Sequence, residues 1–184
     1  MHIDYNMIFY DRVFSDDQLE PISKLLESDE WLIGSQGYNG DRDVLKEGIL
    51  NSDNAPRLSL IMEKYASSIH SVQVKYLAEF TNKKIMYDPK IARYNVGDKF
   101  DWHCDELSRE SLERVISSIT YLNDDFEGGE TEFTDRVIKP KKNYTLIFPS
   151  NWAFLHQGLP VTKGVKHIMV IHCWGEMNRS LMNI

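Results

Sequence analysis

From about residue 84 onward, apolar positions fall in short alternating runs: "KIMYDPKIARYNV", "ERVISSITYLN", "ETEFTDRVIKP", "NYTLIFP", "NWAFLHQG" and "VKHIMVIHCW". Gly, Pro, Asn and Asp separate them, and no helical period intervenes. Strands send successive side chains to opposite faces, so short alternating runs of this kind build an antiparallel sandwich or barrel. The earlier part of the chain has a longer period. "SDDQLEPISKLLE" opens on Ser15 or Asp16 as a cap and spaces Leu19, Ile22, Leu25 and Leu26 along one helical stripe, with Pro21 costing an interior hydrogen bond. A longer helix is predicted from Ala55 to Phe80, capped by Asp53 or Asn54 with Pro56 in its first turn. Leu58, Ile61, Met62, Tyr65, Ile69, Val72 and Tyr76 make its core-facing stripe, and His70 lies off that stripe on the surface. Between the two helices, Gly34 to Asp53 has four glycines among charges and no sustained period, the kind of long loop that serves as a lid. Helices first and strands later give an α+β domain, with helical support over about 1–84 and a jelly-roll core over about 85–178.

Composition narrows this picture. A chain of 184 residues with a hydrophobic fraction of 42% fits one domain with a real core, residues 1–184. The formal net charge is −7 and no Lys/Arg-rich run offsets it, which disfavours a nucleic-acid partner. No stretch reaches the ~18 apolar residues of a membrane span, and the N-terminus has neither a basic start nor an apolar signal run. The expectation is a soluble, cytoplasmic protein. Cys104 and Cys173 form no CxxC pair and read as reduced thiols.

The candidate chemistry begins at "WHCDE", where alternation aims His103 and Asp105 to one side and Cys104 to the other. Two ligands are not a metal site, so a third must come from elsewhere. Of the other histidines, His2 is terminal and His70 sits in the predicted long helix, leaving His156, His167 and His172 near the end of the chain. His156 precedes a Gly/Pro turn, and a strand-end histidine can reach a site on another strand. His103, Asp105 and His156 make a 2-His-1-carboxylate set, which suits non-haem Fe(II); zinc uses the same ligands with one open site, so the metal stays ambiguous on ligands alone. Ten residues after His156 comes Lys166. Strand alternation then places Lys166, Ile168, Val170, His172 and Trp174 on one face. An ammonium turned into a barrel needs a counter-charge, which a bound carboxylate would supply.

These stretches, "RYNVGDKFDWHCD", "RVISSITYLNDDFEGGETEF" and "FPSNWAFLHQGLPVTKGVKHIMVIHCW", resemble the 2-oxoglutarate/Fe(II)-dependent dioxygenases, most closely the prolyl 4-hydroxylase branch, from Arg93 to Trp174. The resemblance implies a double-stranded β-helix in which His103, Asp105 and His156 hold Fe(II) and Lys166 pairs with the distal carboxylate of 2-oxoglutarate. It also implies that Tyr94 and Thr131, with Tyr121 as a further candidate, donate to that carboxylate. Gly128 and Gly129 allow the tight turn leading Thr131 into its strand. Arg114 matches a substrate-contacting arginine. Two positions depart from the family pattern: Phe100 stands where a tyrosine is usual, and His172 where tryptophan is common, with Trp174 one alternation later. The implied reaction consumes O2 and 2-oxoglutarate, with ascorbate as a reductant, and returns a hydroxylated substrate, succinate and CO2. Peptidyl proline is the first substrate class, a free amino acid or small metabolite the second, and a non-catalytic jelly-roll binding module the alternative of a different kind. A zinc hydrolase gives Lys166 no role. The Gly34 to Asp53 and Glu106 to Glu113 loops would close over the substrate.

Overall fold

The computed structural model describes residues 8–26, 31–33, 43–45, 86–87, 90–109 and 112–176. The chain begins with β1 (Phe9–Arg12), α1 (Asp16–Leu26), β2 (Trp31–Ile33) and β3 (Asp43–Leu45). It continues through β4 (Met86–Tyr87), β5 (Lys90–Tyr94), β6 (Phe100–His103), β7 (Ser108–Arg109) and β8 (Leu112–Tyr121). Next come β9 (Glu127–Gly128), β10 (Thr131–Phe133), β11 (Val137–Ile138) and β12 (Tyr144–Pro149). A 3-10 turn (Trp152–Phe154) leads into β13 (His156–Gly158), β14 (Val161–Lys163) and β15 (Lys166–Glu176).

Among the described residues the larger sheet has nine strands, in the order β1-β12-β8-β15-β5-β3-β2, with β4 beside β15 and β7 beside β8. A second sheet runs β11-β10-β13-β6, and β14 pairs with β9. All pairings are antiparallel. Alternation sorts the long strands into two faces. Leu146 and Phe148 of β12, Ile119 and Tyr121 of β8 and Ile168 of β15 turn inward, where Phe133 of β10 and Val161 of β14 meet them. Ile147, Ile116 and Cys173 occupy the opposite face with Phe9 and Val115. Each fully buried side chain of Phe or Leu size contributes roughly 1.5–3 kcal/mol by leaving water, so the facing sheets rather than α1 hold the site in place.

The amino-terminal part departs from the helical expectation. The helix begins at Asp16, directly after Ser15, and buries Leu19 and Ile22. Pro21 lies inside it and offers no N–H to the carbonyl of Asp17. Around it, β1, β2 and β3 are strands of the larger sheet. Runs of three or four residues are too short to show a period of two, which is why the sequence left them unassigned. β3 falls within the segment read as a loop, Gly34 to Asp53; the rest of that segment and the helix expected from Ala55 to Phe80 lie outside the described residues. The Glu106 to Glu113 segment is likewise more than a loop, since β7 pairs back onto the start of β8. Among the described residues no helix is long and apolar enough to cross a membrane.

Gly128 and Gly129 have φ of 75° and 67°, conformations that L side chains rarely adopt. A Cβ on Gly128 would collide with the carbonyl oxygen of Pro160. Gly97, with φ of 94°, has nothing within 4 Å of such a Cβ. Gly97→Ala should therefore cost about 1–2 kcal/mol from backbone conformation alone, and Gly128→Ala should cost more. Urea unfolding of the two variants checks the order; equal midpoints would contradict it.

Candidate metal centre and cosubstrate cavity

Strands β6 and β13 pair so that His103, the last residue of one, sits directly opposite His156, the first residue of the other. Their rings lie 4.2 Å apart between centroids. Asp105 follows two residues beyond the end of β6, so it reaches the same point from a turn and not from a strand position. Its Oδ1 is 3.3 Å from His103 Nε2 and its Oδ2 is 3.8 Å from His156 Nε2. One ligand atom from each of the three lies within 4.8 Å of the others.

Each imidazole is oriented by the backbone. His103 Nδ1 is 2.8 Å from the carbonyl oxygen of Asp101, and His156 Nδ1 is 3.0 Å from that of Phe154. A carbonyl only accepts, so each Nδ1 carries a proton and each Nε2 is the nitrogen turned toward Asp105. Phe133 and Phe148 pack against the His156 ring at 5.5 and 4.7 Å, and Phe100 meets His103 edge-on at 4.4 Å. Burial lowers the His156 pKa, against the pull of the Asp105 charge. Burial alone would raise the Asp105 carboxyl, but the His103 hydrogen bond and the charges of His156, His172 and His103 hold it below the usual carboxylate range. Asp105 is thus an ionised carboxylate, the form in which it can ligate a metal.

The three groups face a cavity of about 500 Å³. Lys166, 3% exposed, projects into it from β15. Its ammonium donates to the carbonyl oxygen of Gly129 at 2.6 Å and lies 5.0 and 5.7 Å from the centroids of the Tyr94 and Tyr121 rings. Burial depresses its pKa to about 7, with Glu130 pulling weakly the other way. Tyr121 Oη and Thr131 Oγ1 are 2.6 Å apart and share a hydrogen bond, and burial pushes the Tyr121 phenol up, so it stays neutral. A cation so poorly compensated, with hydroxyls beside it, fits the carboxylate of a guest.

Most predicted positions meet here. His103, Asp105, His156, Lys166, Tyr94, Thr131, Arg114, Phe100 and His172 all border the cavity. Tyr121 does not border it, being fully buried behind Thr131. Trp174 does not border it either: it is buried, and the Arg114 guanidinium stacks over its ring at 5.0 Å. Cys104, expected to face away, borders the cavity, because β6 has ended and alternation no longer governs its direction. Arg114 gets there through a bulge. Cys173 pairs with Ile116 and Trp174 with Arg114, so Val115 is skipped and Arg114 shares the face of Ser117 and Ile119. Sequence reasoning missed Lys90, which also borders the cavity; counting by twos back from Tyr94 through Ala92 finds it.

Residues 89–175 match the family model described as the 2OG-Fe(II) oxygenase superfamily. The chain carries a 2OG-Fe(II) oxygenase domain. This oxygenase is 27% identical over 169 residues to a PKHD-type hydroxylase of Pseudomonas fluorescens, covering 84% of this chain and 72% of that one. It is 33% identical over 107 residues to probable prolyl 4-hydroxylase 9 of Arabidopsis thaliana, 42% of this chain but only 37% of the relative. Among solved structures, a Trichoplax adhaerens prolyl hydroxylase in complex with a hypoxia inducible factor oxygen degradation domain peptide fragment superposes with a TM-score of 0.72 at 18% identity, covering 98% and 89% of the two chains. The 2OG complex of a viral collagen prolyl hydroxylase from Paramecium Bursaria Chlorella virus-1 gives 0.66 at 19% identity, covering 94% and 98%. At these identities the structural likeness is one of fold, the jelly roll of these oxygenases.

The oxygenase's donor set fits its cofactors. His103, Asp105 and His156 would hold Fe(II), and Lys166, Thr131 and Tyr94 would hold the far carboxylate of 2-oxoglutarate. When bound, the ion and this cosubstrate supply the oxidising power drawn from O2. The chain's own residues fix the orientation of the ligand rings, orient the cosubstrate and keep water from the deep end of the cavity. Removing a ligand should exceed the ~10–100-fold loss typical of outer partners: His156→Ala is expected to weaken Mn(II) binding by more than that in a calorimetric titration. Because Lys166 binds a carboxylate in its protonated form and titrates near pH 7 when free, 2-oxoglutarate binding above that pH takes up a proton. Titrations at pH 8.5 in two buffers of different ionisation enthalpy should show uptake, and Lys166→Met should abolish it.

Proposed function

We propose that this oxygenase hydroxylates the 4-position of a prolyl residue in a peptide or protein, consuming 2-oxoglutarate and O2 and releasing succinate and CO2. The observation that carries this reading is the aim of Arg114. The bulge at Val115 turns it into the cavity and the Trp174 ring holds its guanidinium, so a planar donor faces the side away from Lys166. A guanidinium there suits a substrate carbonyl or carboxylate. Phe100, Ile119 and Val170 add apolar surface to the lining, against which a pyrrolidine ring would pack. The names of the relatives, prolyl hydroxylases with one peptide-bound structure among them, point the same way.

A second reading is hydroxylation of a free amino acid or other small metabolite. Phe100 offers a ring but no hydroxyl, and His172 puts an imidazole where the related enzymes commonly have a tryptophan, so contacts made there by a peptide-modifying enzyme differ in this chain. A substrate panel separates the two. Proline-containing peptides should gain about 16 Da, one oxygen atom, with succinate released in equal amount, and digestion should yield 4-hydroxyproline. Succinate release that free amino acids stimulate and peptides do not would replace the first reading with the second.

A further inference from the structure

Tyr121 and Thr131 each carry one hydroxyl proton, and their oxygens are 2.6 Å apart. The hydrogen bond between them uses one of those protons and leaves the other to be placed. The two residues sit differently. Thr131, at the start of β10, is buried yet borders the cavity. Tyr121, at the end of β8, is 0% exposed and does not border it.

Burial decides which hydroxyl donates. Were Thr131 the donor, the phenol proton would be left at a fully buried point where, among the described residues, Thr131 Oγ1 is the partner of Tyr121 Oη. A buried donor without an acceptor bears the whole loss of its hydration. Were Tyr121 the donor, the proton left over belongs to Thr131, the residue that faces the cavity. A phenol is also the stronger acid of the pair, and burial keeps Tyr121 protonated.

The Tyr121 ring is held from two sides. On β15, Ile168 stands opposite Tyr121, and Lys166 lies two residues earlier on the same face. Lys166 Nζ is 5.7 Å from the Tyr121 ring centroid and donates to the carbonyl of Gly129, two residues before Thr131. From behind, Tyr10 of β1 meets the Tyr121 ring edge-on at 6.2 Å, and its own hydroxyl donates to the Lys139 carbonyl at 2.8 Å. Cation, phenol and threonine hydroxyl therefore share one end of the cavity.

We infer that Tyr121 is a positioning residue of cosubstrate binding: it does not touch 2-oxoglutarate but donates to Thr131 Oγ1, so that the Thr131 proton is turned to the distal carboxylate that Lys166 neutralises. The direct contact implied by the resemblance is replaced by a two-step chain in which the first donor polarises the second. The inference rests on the cosubstrate's place at Lys166 and is independent of which substrate is hydroxylated.

A double-mutant cycle tests it, with 2-oxoglutarate titrated calorimetrically into the Mn(II)-loaded protein without oxygen. Thr131→Val should weaken binding about tenfold and Tyr121→Phe about fivefold. The double variant should match Thr131→Val to within about twofold, because Tyr121 then has nothing left to act through. Thr131→Ser, which keeps the hydroxyl, should bind as the parent does and stay sensitive to Tyr121→Phe. Mn(II) affinity should be parental in every variant, which a general loosening of the fold would not leave alone. Additive losses would mean direct contact by Tyr121 and overturn the inference. So would parental 2-oxoglutarate affinity in either Thr131→Val or Tyr121→Phe, or a joint loss of Mn(II) and 2-oxoglutarate. The Thr131→Val result stands on its own should Tyr121→Phe fail to fold.

Discussion

The whole site hangs on one cross-strand pair, His103 opposite His156. A slip of one residue between β6 and β13 would turn one imidazole to the far side of the sheet and break up the three-ligand set. The register is secured from both ends. Phe133 of β10 pairs with His156 on its other flank, and Gly158 at the far end of β13 pairs with Phe100. Backbone carbonyls of Asp101 and Phe154 then orient both rings through Nδ1, so the fold supplies both position and orientation.

The second sheet and the turn after β6 contribute the candidate metal ligands, and the larger sheet contributes the cation that would hold the cosubstrate. This division explains why the interior between them is not simply apolar. Lys166 is a costly residue to bury, and the carbonyl of Gly129 with two aromatic rings compensates it only in part. The imperfection is useful, since a fully satisfied ammonium would gain little from a carboxylate. A Cβ on Gly129 would sit 3.0 Å from Lys166 Cδ, so the glycine is as much a part of the cosubstrate pocket as the lysine.

Much of this was legible in the residues. Period-two runs located β5, β8, β12 and β15, and the spacing of His103, Asp105, His156 and Lys166 named the groups that converge. What escaped had local physical causes. β2 and β3 have three residues each, too few to declare a period. The direction of Arg114 depends on a bulge, which inverts parity without any mark in composition, and Cys104 lies past a strand end where parity no longer applies. Trp174 obeys alternation yet is covered by the very side chain it supports, an effect of packing that strand period cannot report.

The claim beneath everything else is that one ion and one dicarboxylate share this cavity, the ion at His103, Asp105 and His156 and the far carboxylate at Lys166. Anaerobic titration with Fe(II) followed by 2-oxoglutarate tests it directly through the weak visible charge-transfer band of the chelate. The band should saturate at one equivalent of each per chain and require a far higher 2-oxoglutarate concentration in Lys166→Met. Its absence from the parent protein, or an unchanged titration in that variant, would contradict the account.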